Sequence, residues 1–177
     1  NTDEFKHTIR LACWLHDIGK LTDNFEKYLN STVSGQNVKR GSVNHTFAGV
    51  IFILEKYHNM GNSKFEKFTS ELIAYAIGAH HGLFDAFNIR EVNGFEHRLF
   101  YDKEIIQYEQ VIERLYEDSF SKEQIEAEFQ KATLEIESFY NKVVQESKEW
   151  YKSEYKNEKE DPRIELHYLW GMLTRML

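Results

Sequence analysis

Apolar residues along this chain recur at intervals of three and four, the spacing that places them on one face of an α-helix. In the first such stretch, Phe5, Ile9, Ala12 and Leu15 form an apolar stripe. The spacing predicts helices at about residues 4–17, 23–29, 45–57, 65–77, 103–157 and 163–177. The fifth stretch has the Glu, Lys, Gln and Tyr content of long, exposed amphipathic helices, and we expect it to be broken near Ser119-Phe120-Ser121.

Helix-breaking residues are rare in this chain, and their scarcity indicates the fold class. One proline and nine glycines are too few to punctuate an all-β chain. Gly19 is placed to end the first helix, and Asn44 is placed to cap the third. Polar residues 31–44 predict a loop, and the aromatic, glycine-containing residues 82–101 predict a second loop. We therefore predict an all-α helical bundle, with the apolar final helix returning to the core.

Composition bounds the domain and its partners. A chain of 177 residues, 41% of them hydrophobic, fits one domain with a sizeable core. The net charge of -7 provides no global basic field for a polyanion, so any nucleic-acid binding must be local. No apolar run approaches the length that spans a bilayer, so we expect no membrane partner. The lone Cys13 lies among apolar neighbours, which predicts a buried, inert thiol and a reducing cytoplasm.

The candidate chemistry lies in an ordered set of histidines and one aspartate near predicted helix ends. The set comprises the His16-Asp17 doublet, the separate His45 and the His80-His81 pair. Each histidine alone would more often be a packed side chain, but together they indicate a divalent-metal site, because imidazole and carboxylate are common metal ligands. Lys20 follows the doublet and places a cation where it can contact a phosphate oxygen. Metal-assisted hydrolysis is the expected reaction.

Other polar and aromatic residues carry weaker signals. We interpret His7 as a surface histidine and Asp85 as structural, and we see no supporting pattern around His58, His97 and His167. Lys39 and Arg40 join Lys20 as candidates for a local positive funnel, and Phe84, Phe87 and Phe95 are candidates for stacking on unpaired bases. Core packing remains the simpler interpretation for most of these aromatic residues.

Several strings of this chain resemble one family. The strings are Ala12-Cys13-Trp14-Leu15-His16-Asp17-Ile18-Gly19-Lys20 with Phe25 and Tyr28-Leu29 after it, His45 with Gly49, and Ala79-His80-His81-Gly82-Leu83. Together they resemble the HD nuclease domain of the type I CRISPR-associated nuclease-helicase. The resemblance implies an all-α HD domain, with its metal site in the core, that binds one or two metals. It also implies cleavage of single-stranded DNA exposed by an RNA-guided surveillance complex in antiviral defence. A superfamily-2 helicase would follow the domain or be a separate chain.

The resemblance also assigns roles by position. His16 and Asp17 are implied to be metal ligands, with Asp17 bridging two ions, while His45, His80 and His81 bind the second ion. Lys20 is implied to face the phosphate. The family has a further histidine well upstream of the doublet and an aspartate soon after a helix like the last one here. His7 is too close to the doublet to be that histidine. We therefore expect residues 1–177 to be a single HD nuclease domain trimmed at both ends, without its helicase.

Three functions remain open at this point. A metal-dependent endonuclease for single-stranded DNA is the leading hypothesis, and an HD phosphohydrolase acting on a small nucleotide would use the same ligands. A catalytically incomplete docking domain would instead bind its partner through the charged helices of residues 103–159. The HD domain of the type III effector fits less well after Lys20. Imidazole-rich ligation favours Mn, Fe, Co, Ni or Zn over Mg.

Overall fold

The computed structural model describes residues 2–36, 43, 45–80, 95, 98–99 and 106–154. Its α-helices are α1 (Lys6–Leu15), α2 (Asp23–Val33), α3 (Phe47–Tyr57), α4 (Lys64–Ala79), α5 (Tyr108–Arg114) and α6 (Lys122–Glu154). Short 3-10 helices span Thr2–Phe5 and Ile18–Lys20, and a π-helical turn at Leu115–Ser119 continues α5. These ranges contain no strand, so the predicted all-α fold is confirmed for them.

Helix α3 forms the centre of the bundle. Its residues from Phe47 to Ile53 are all buried, as expected of a helix that is apolar on every side. It packs against α4. Gly49 lies where α3 meets the end of α1, and an added Cβ there would lie 3.0 Å from the carbonyl carbon of Leu15. The absence of a side chain at this position thus allows the first and third helices to approach closely.

The long helix α6 closes the bundle against α1 and α4. Its inward positions follow helical spacing, with Ile125, Phe129, Ala132 and Ile136 buried. Leu11 and Leu15 of α1 are fully buried in the same core. Because two inward stripes face each other, the predicted amphipathic character of both segments accounts for their packing.

The predicted helix boundaries were mostly close to those observed. The break expected near Ser119-Phe120-Ser121 is confirmed, because α5 and its π-helical turn end at Ser119 and α6 begins at Lys122. Helix α2 is longer than expected and continues to Val33. The first helix ends at Leu15, so the His16-Asp17 doublet follows it directly. No described helix is both long and apolar enough to cross a membrane.

Local capping explains two of these boundaries. The side chain of Thr22 accepts a hydrogen bond from the backbone of Phe25 at the start of α2. At the start of α4, Ser63 and Glu66 form a reciprocal capping box. The predicted cap Asn44 lies outside the described residues, and Thr46, which precedes α3, makes no side-chain cap. The predicted final helix at residues 163–177 also lies outside them.

The expectation of a buried Cys13 was wrong, because this residue is exposed. Leu11 and Leu15 face the core one helical turn apart, which turns Cys13, midway between them, to the opposite side of α1. The locally apolar sequence around Cys13 was therefore a poorer guide than the helical period.

Candidate metal centre

The His16-Asp17 doublet lies where α1 ends and the chain turns sharply. The backbone of His16 still bonds to Ala12, and the next residues form the 3-10 helix Ile18–Lys20. Gly19, which was expected to end the helix, has a different role. An added Cβ would lie 2.7 Å from both the Cα and the carbonyl carbon of His45. Gly19 therefore lets the segment carrying His45 approach the doublet.

Three helix ends bring their polar residues together around the Asp17 carboxylate. His45 precedes α3, and His80 follows the last residue of α4. Their Nε2 atoms lie 3.8 Å and 3.9 Å from Asp17 Oδ1. One ligand atom from each of Asp17, His45 and His80 lies within 4.8 Å of the others, a spacing that can hold a metal ion.

The opposite oxygen of Asp17 has different neighbours. Asp17 Oδ2 lies 3.0 Å from His16 Nε2 and accepts a hydrogen bond from Lys20 Nζ at 2.7 Å. Each carboxylate oxygen thus faces its own group of side chains, which is the arrangement of a carboxylate that can serve two neighbouring cations.

Backbone carbonyls orient all three imidazoles. His16 Nδ1 lies 2.8 Å from the carbonyl oxygen of Cys13, and His80 Nδ1 lies 2.6 Å from that of Ile77. His45 Nδ1 contacts the carbonyl oxygen of Val43 at 3.3 Å. Because a carbonyl oxygen only accepts, each Nδ1–H must be the donor, and a neutral His45 or His80 ring then carries no proton on the Nε2 that faces Asp17 Oδ1. A metal-binding histidine takes this form, with its second nitrogen held by an outer hydrogen bond.

The protonation states of Asp17 and His45 also suit metal binding. Partial burial by itself raises the pKa of Asp17, but the hydrogen bond and charge of Lys20, together with the charge that His16 or His45 has when protonated, outweigh it and lower the pKa. Burial lowers the pKa of His45, and the charges of Lys20 and His80 act in the same direction. The Val43 carbonyl and the Asp17 carboxylate oppose that change without cancelling it. Near neutral pH, Asp17 is therefore charged and His45 is neutral.

A divalent cation fits this set of donors. Asp17 Oδ1 is buried and has no hydrogen-bond partner among the described residues, which leaves a charged oxygen that a cation would satisfy. The side chains of His45 and His80 are 18% and 21% exposed, so the donors are sheltered but reachable. His80 as a whole residue is more exposed, through its backbone.

The family match covers nearly the whole chain. A family model described as "Cas3, HD domain" matches residues 1–173. The chain belongs to the Cas3 HD-domain family. Membership implies a CRISPR-associated HD nuclease role, which agrees with the resemblance in the sequence. No curated protein and no solved structure matches the chain significantly.

Some predicted site residues of this Cas3 HD domain lie outside the described residues. They are His81, Lys39, Arg40, Phe84 and Phe87. Asp85, His97 and His167, which were not assigned to the site, lie outside the described residues as well. The assignments of His16, Asp17, Lys20, His45 and His80 rest on residues that the structure does describe. It brings these five together, and their roles as ligands or phosphate contacts remain predictions.

Other predicted residues lie away from the centre. His7 is not a simple surface histidine, because its Nδ1 lies 2.8 Å from Oε1 of the buried Glu128 on α6. His58 is paired with Glu71. The Phe95 ring packs against Phe47 at a centroid distance of 5.4 Å, as expected for core packing.

Two features near the centre of this HD domain were not predicted from the sequence, namely the contacts of the Phe25 ring and a cavity beside Cys13. Phe25 lies edge-on to the His45 ring at a centroid distance of 5.5 Å, and the Lys20 ammonium lies 5.8 Å from the Phe25 ring centre. The sequence signal was present, since Phe25 belongs to the string after Lys20 on which the family resemblance rests. Cys13 lines a cavity of about 210 Å³ between α1 and α4 whose wall includes His16 and His80.

Proposed function

We propose that this domain is a metal-dependent endonuclease that hydrolyses phosphodiester bonds of single-stranded DNA in type I CRISPR interference. Its partners would be a superfamily-2 helicase, fused or separate, and an RNA-guided surveillance complex that exposes the strand in the cytoplasm. Family membership supports the nuclease class. The choice of single-stranded DNA and the dependence on metal are our inference.

One observation carries the proposal. The Asp17 carboxylate presents to His45 and His80 a buried oxygen that accepts no hydrogen bond within the described part of the chain, and its other oxygen to His16 and Lys20. A structural aspartate at a helix end would instead satisfy both oxygens with backbone or side-chain donors. Asp17 would therefore be a ligand shared by two cations, with His16 on the first and His45 and His80 on the second. His81 would join the second set, as the sequence resemblance implies.

The protein groups would divide the work of hydrolysis. When bound, divalent cations would activate water and compensate the charge that develops on the phosphate. Asp17 would set the spacing of the cations. The three imidazoles, each oriented by a backbone carbonyl, would keep the positions of their ligand nitrogens fixed. Lys20, which is 38% exposed, would turn from Asp17 Oδ2 towards a phosphate oxygen and orient the scissile group. The nitrogen-rich ligand set favours Mn, Fe, Co, Ni or Zn over Mg.

Cleavage of circular single-stranded DNA tests the proposal, because a circle has no ends to trim. Metal-stripped protein would be supplied with Mn, Fe, Co, Ni, Zn or Mg in turn. We expect cutting with a transition metal and cutting at background level for Asp17→Ala. Asp118→Ala removes an exposed aspartate of the π-helical turn and is the matched control, which should cut normally.

The outcomes separate the competing functions. Cleavage that survives Asp17→Ala would contradict the assignment of the site. If the protein hydrolyses small nucleotides with the same metal and mutant dependence but leaves DNA intact, it is a small-nucleotide phosphohydrolase. Absence of both reactions, together with absence of metal binding in calorimetry, would favour the docking role.

A further inference from the structure

Helix α2 starts at the candidate centre and is fixed to the rest of the protein at its first turn. Thr22 is buried and caps the helix, and the Asp23 backbone donates a hydrogen bond to Gln110. The Asp23 carboxylate pairs with Arg114. Beyond this attachment, no residue of the helix is buried, although its apolar residues have helical spacing. The helix therefore presents an unburied apolar face beside the centre.

Aromatic rings on this helix lead away from the centre in a row. The His45 and Phe25 ring centroids are 5.5 Å apart, and those of Phe25 and Tyr28 are 5.9 Å apart. Phe25 and Tyr28 are both half-buried and stand three residues apart, so they share one face of α2. The row thus begins at a candidate metal ligand and ends at a partly exposed tyrosine.

Positive charge accompanies these rings. The Lys20 ammonium lies 5.8 Å from the Phe25 ring centre. The acidic residues of the helix are Asp23, which is paired with Arg114, and Glu26, which is adjacent to Phe25 in sequence and so points away from it. Partly exposed rings beside cations are the combination that binds unpaired bases and their phosphates.

We propose that Phe25 and Tyr28 form a stacking platform for the bases next to the scissile phosphate of a single strand. This inference rests on the proposed nuclease function, since the strand is its substrate. The apolar face and the Lys20 ammonium beside it together favour a nucleic-acid strand, because an apolar protein segment would leave the ammonium without a partner in the interface. Tyr28 is the decisive residue because it does not contact a candidate ligand, whereas Phe25 does.

Binding of the metal-free protein to fluorescent single-stranded oligonucleotides tests the platform without requiring catalysis. Loss of one base-stacking ring weakens binding by about fivefold to a hundredfold. We expect a loss of that size for Tyr28→Ala and a change below about twofold for Tyr28→Phe, which keeps the ring. Leu29→Ala is the matched control, because Leu29 is a neighbouring apolar residue of α2 that is 51% exposed. It should bind like the wild type.

Oligonucleotides with single abasic sites supply the second arm. Removing the base at one or two positions of the oligonucleotide should weaken its binding to the wild type. The same removal should not weaken its binding to Tyr28→Ala any further. Equal affinity of Tyr28→Ala and wild type for every oligonucleotide would overturn the platform, as would a wild type that does not bind single strands. The circular-DNA assay tests the nuclease function separately. If the wild type cuts DNA with metal but Tyr28→Ala binds oligonucleotides as the wild type does, the platform is refuted and the nuclease function is not. Thermal unfolding of each variant checks that the fold is retained.

Discussion

Gly19→Ala is the sharpest test of how the fold assembles the candidate centre. An added Cβ would lie 2.7 Å from two backbone atoms of His45, whereas ordinary van der Waals contact begins at 3.4 Å. Backbone is less able to yield than the end of a flexible side chain. The His45 segment or the doublet must therefore move by roughly 1 Å. His45 Nε2 lies 3.8 Å from Asp17 Oδ1, so a movement of this size changes the spacing of the candidate ligands.

The expected effects of Gly19→Ala are larger on metal binding than on folding. Overpacking a close contact costs about 1–3 kcal/mol of folding free energy. For a chain of this size, that corresponds to a fall in Tm of about 2–12 °C. Displacing a ligand from its supporting contact typically weakens metal affinity by about 10- to 100-fold. Titration calorimetry with the metal that supports cleavage would measure the second effect, and thermal unfolding without metal would measure the first.

Gly61→Ala is the matched control for this substitution. An added Cβ at Gly61 meets nothing within 4 Å, and its backbone does not require glycine. We expect unchanged metal affinity and a stability change between zero and a gain of about 1 kcal/mol. If Gly19→Ala binds metal like Gly61→Ala and unfolds at the same temperature, the close approach does not position His45 and our account of the centre is incorrect.

Other substitutions separate the centre from the scaffold. Asp17→Asn keeps the shape but removes the charge, so metal affinity in calorimetry should collapse while metal-free stability changes by less than about 1 kcal/mol, because the Lys20 pair is partly exposed. A large loss of stability would instead indicate a structural role. Phe129→Ala removes a fully buried ring stacked on Tyr57 and should cost about 3–5 kcal/mol in denaturant unfolding. A cost below 1 kcal/mol would contradict the packing of α6. Ser63→Ala breaks the capping box of α4 and should cost about 1 kcal/mol without altering metal affinity, and a change in affinity would link the two ends of α4.

The elements whose signal is local were predictable from the sequence. Helical spacing located α1, α3 and α4, and the Ser119-Phe120-Ser121 break separated α5 from α6 as expected. The same spacing also indicates that Cys13 is exposed, because Leu11 and Leu15 occupy the buried face of the helix two positions to either side of it.

Features that depend on distant partners were not predictable. His7 is held by Glu128, which lies on a helix 121 residues later, and no local pattern points to that pair. Gly19 was interpreted as a helix terminator, but glycine is needed there because a side chain would collide with the backbone of His45. Only folding brings these two residues close together. The order of the histidines in the sequence predicted that they would come together with Asp17. It did not predict that each oxygen of Asp17 would have its own group of neighbours, because that depends on the three-dimensional structure.

The direction of the helices has an electrostatic consequence for the centre. The last turns of α1 and α4 both end at it, through His16 and His80. A helix carries roughly half an elementary negative charge at its C-terminal end. The C-terminal ends of α1 and α4 therefore contribute negative potential that does not depend on side-chain ionisation, and the N-terminal end of α3, next to His45, partly offsets it. Carbonyl groups at these two helix ends thus favour a cation beside Asp17, whereas Lys20 and the rings of α2 lie on the side of the centre where α2 begins.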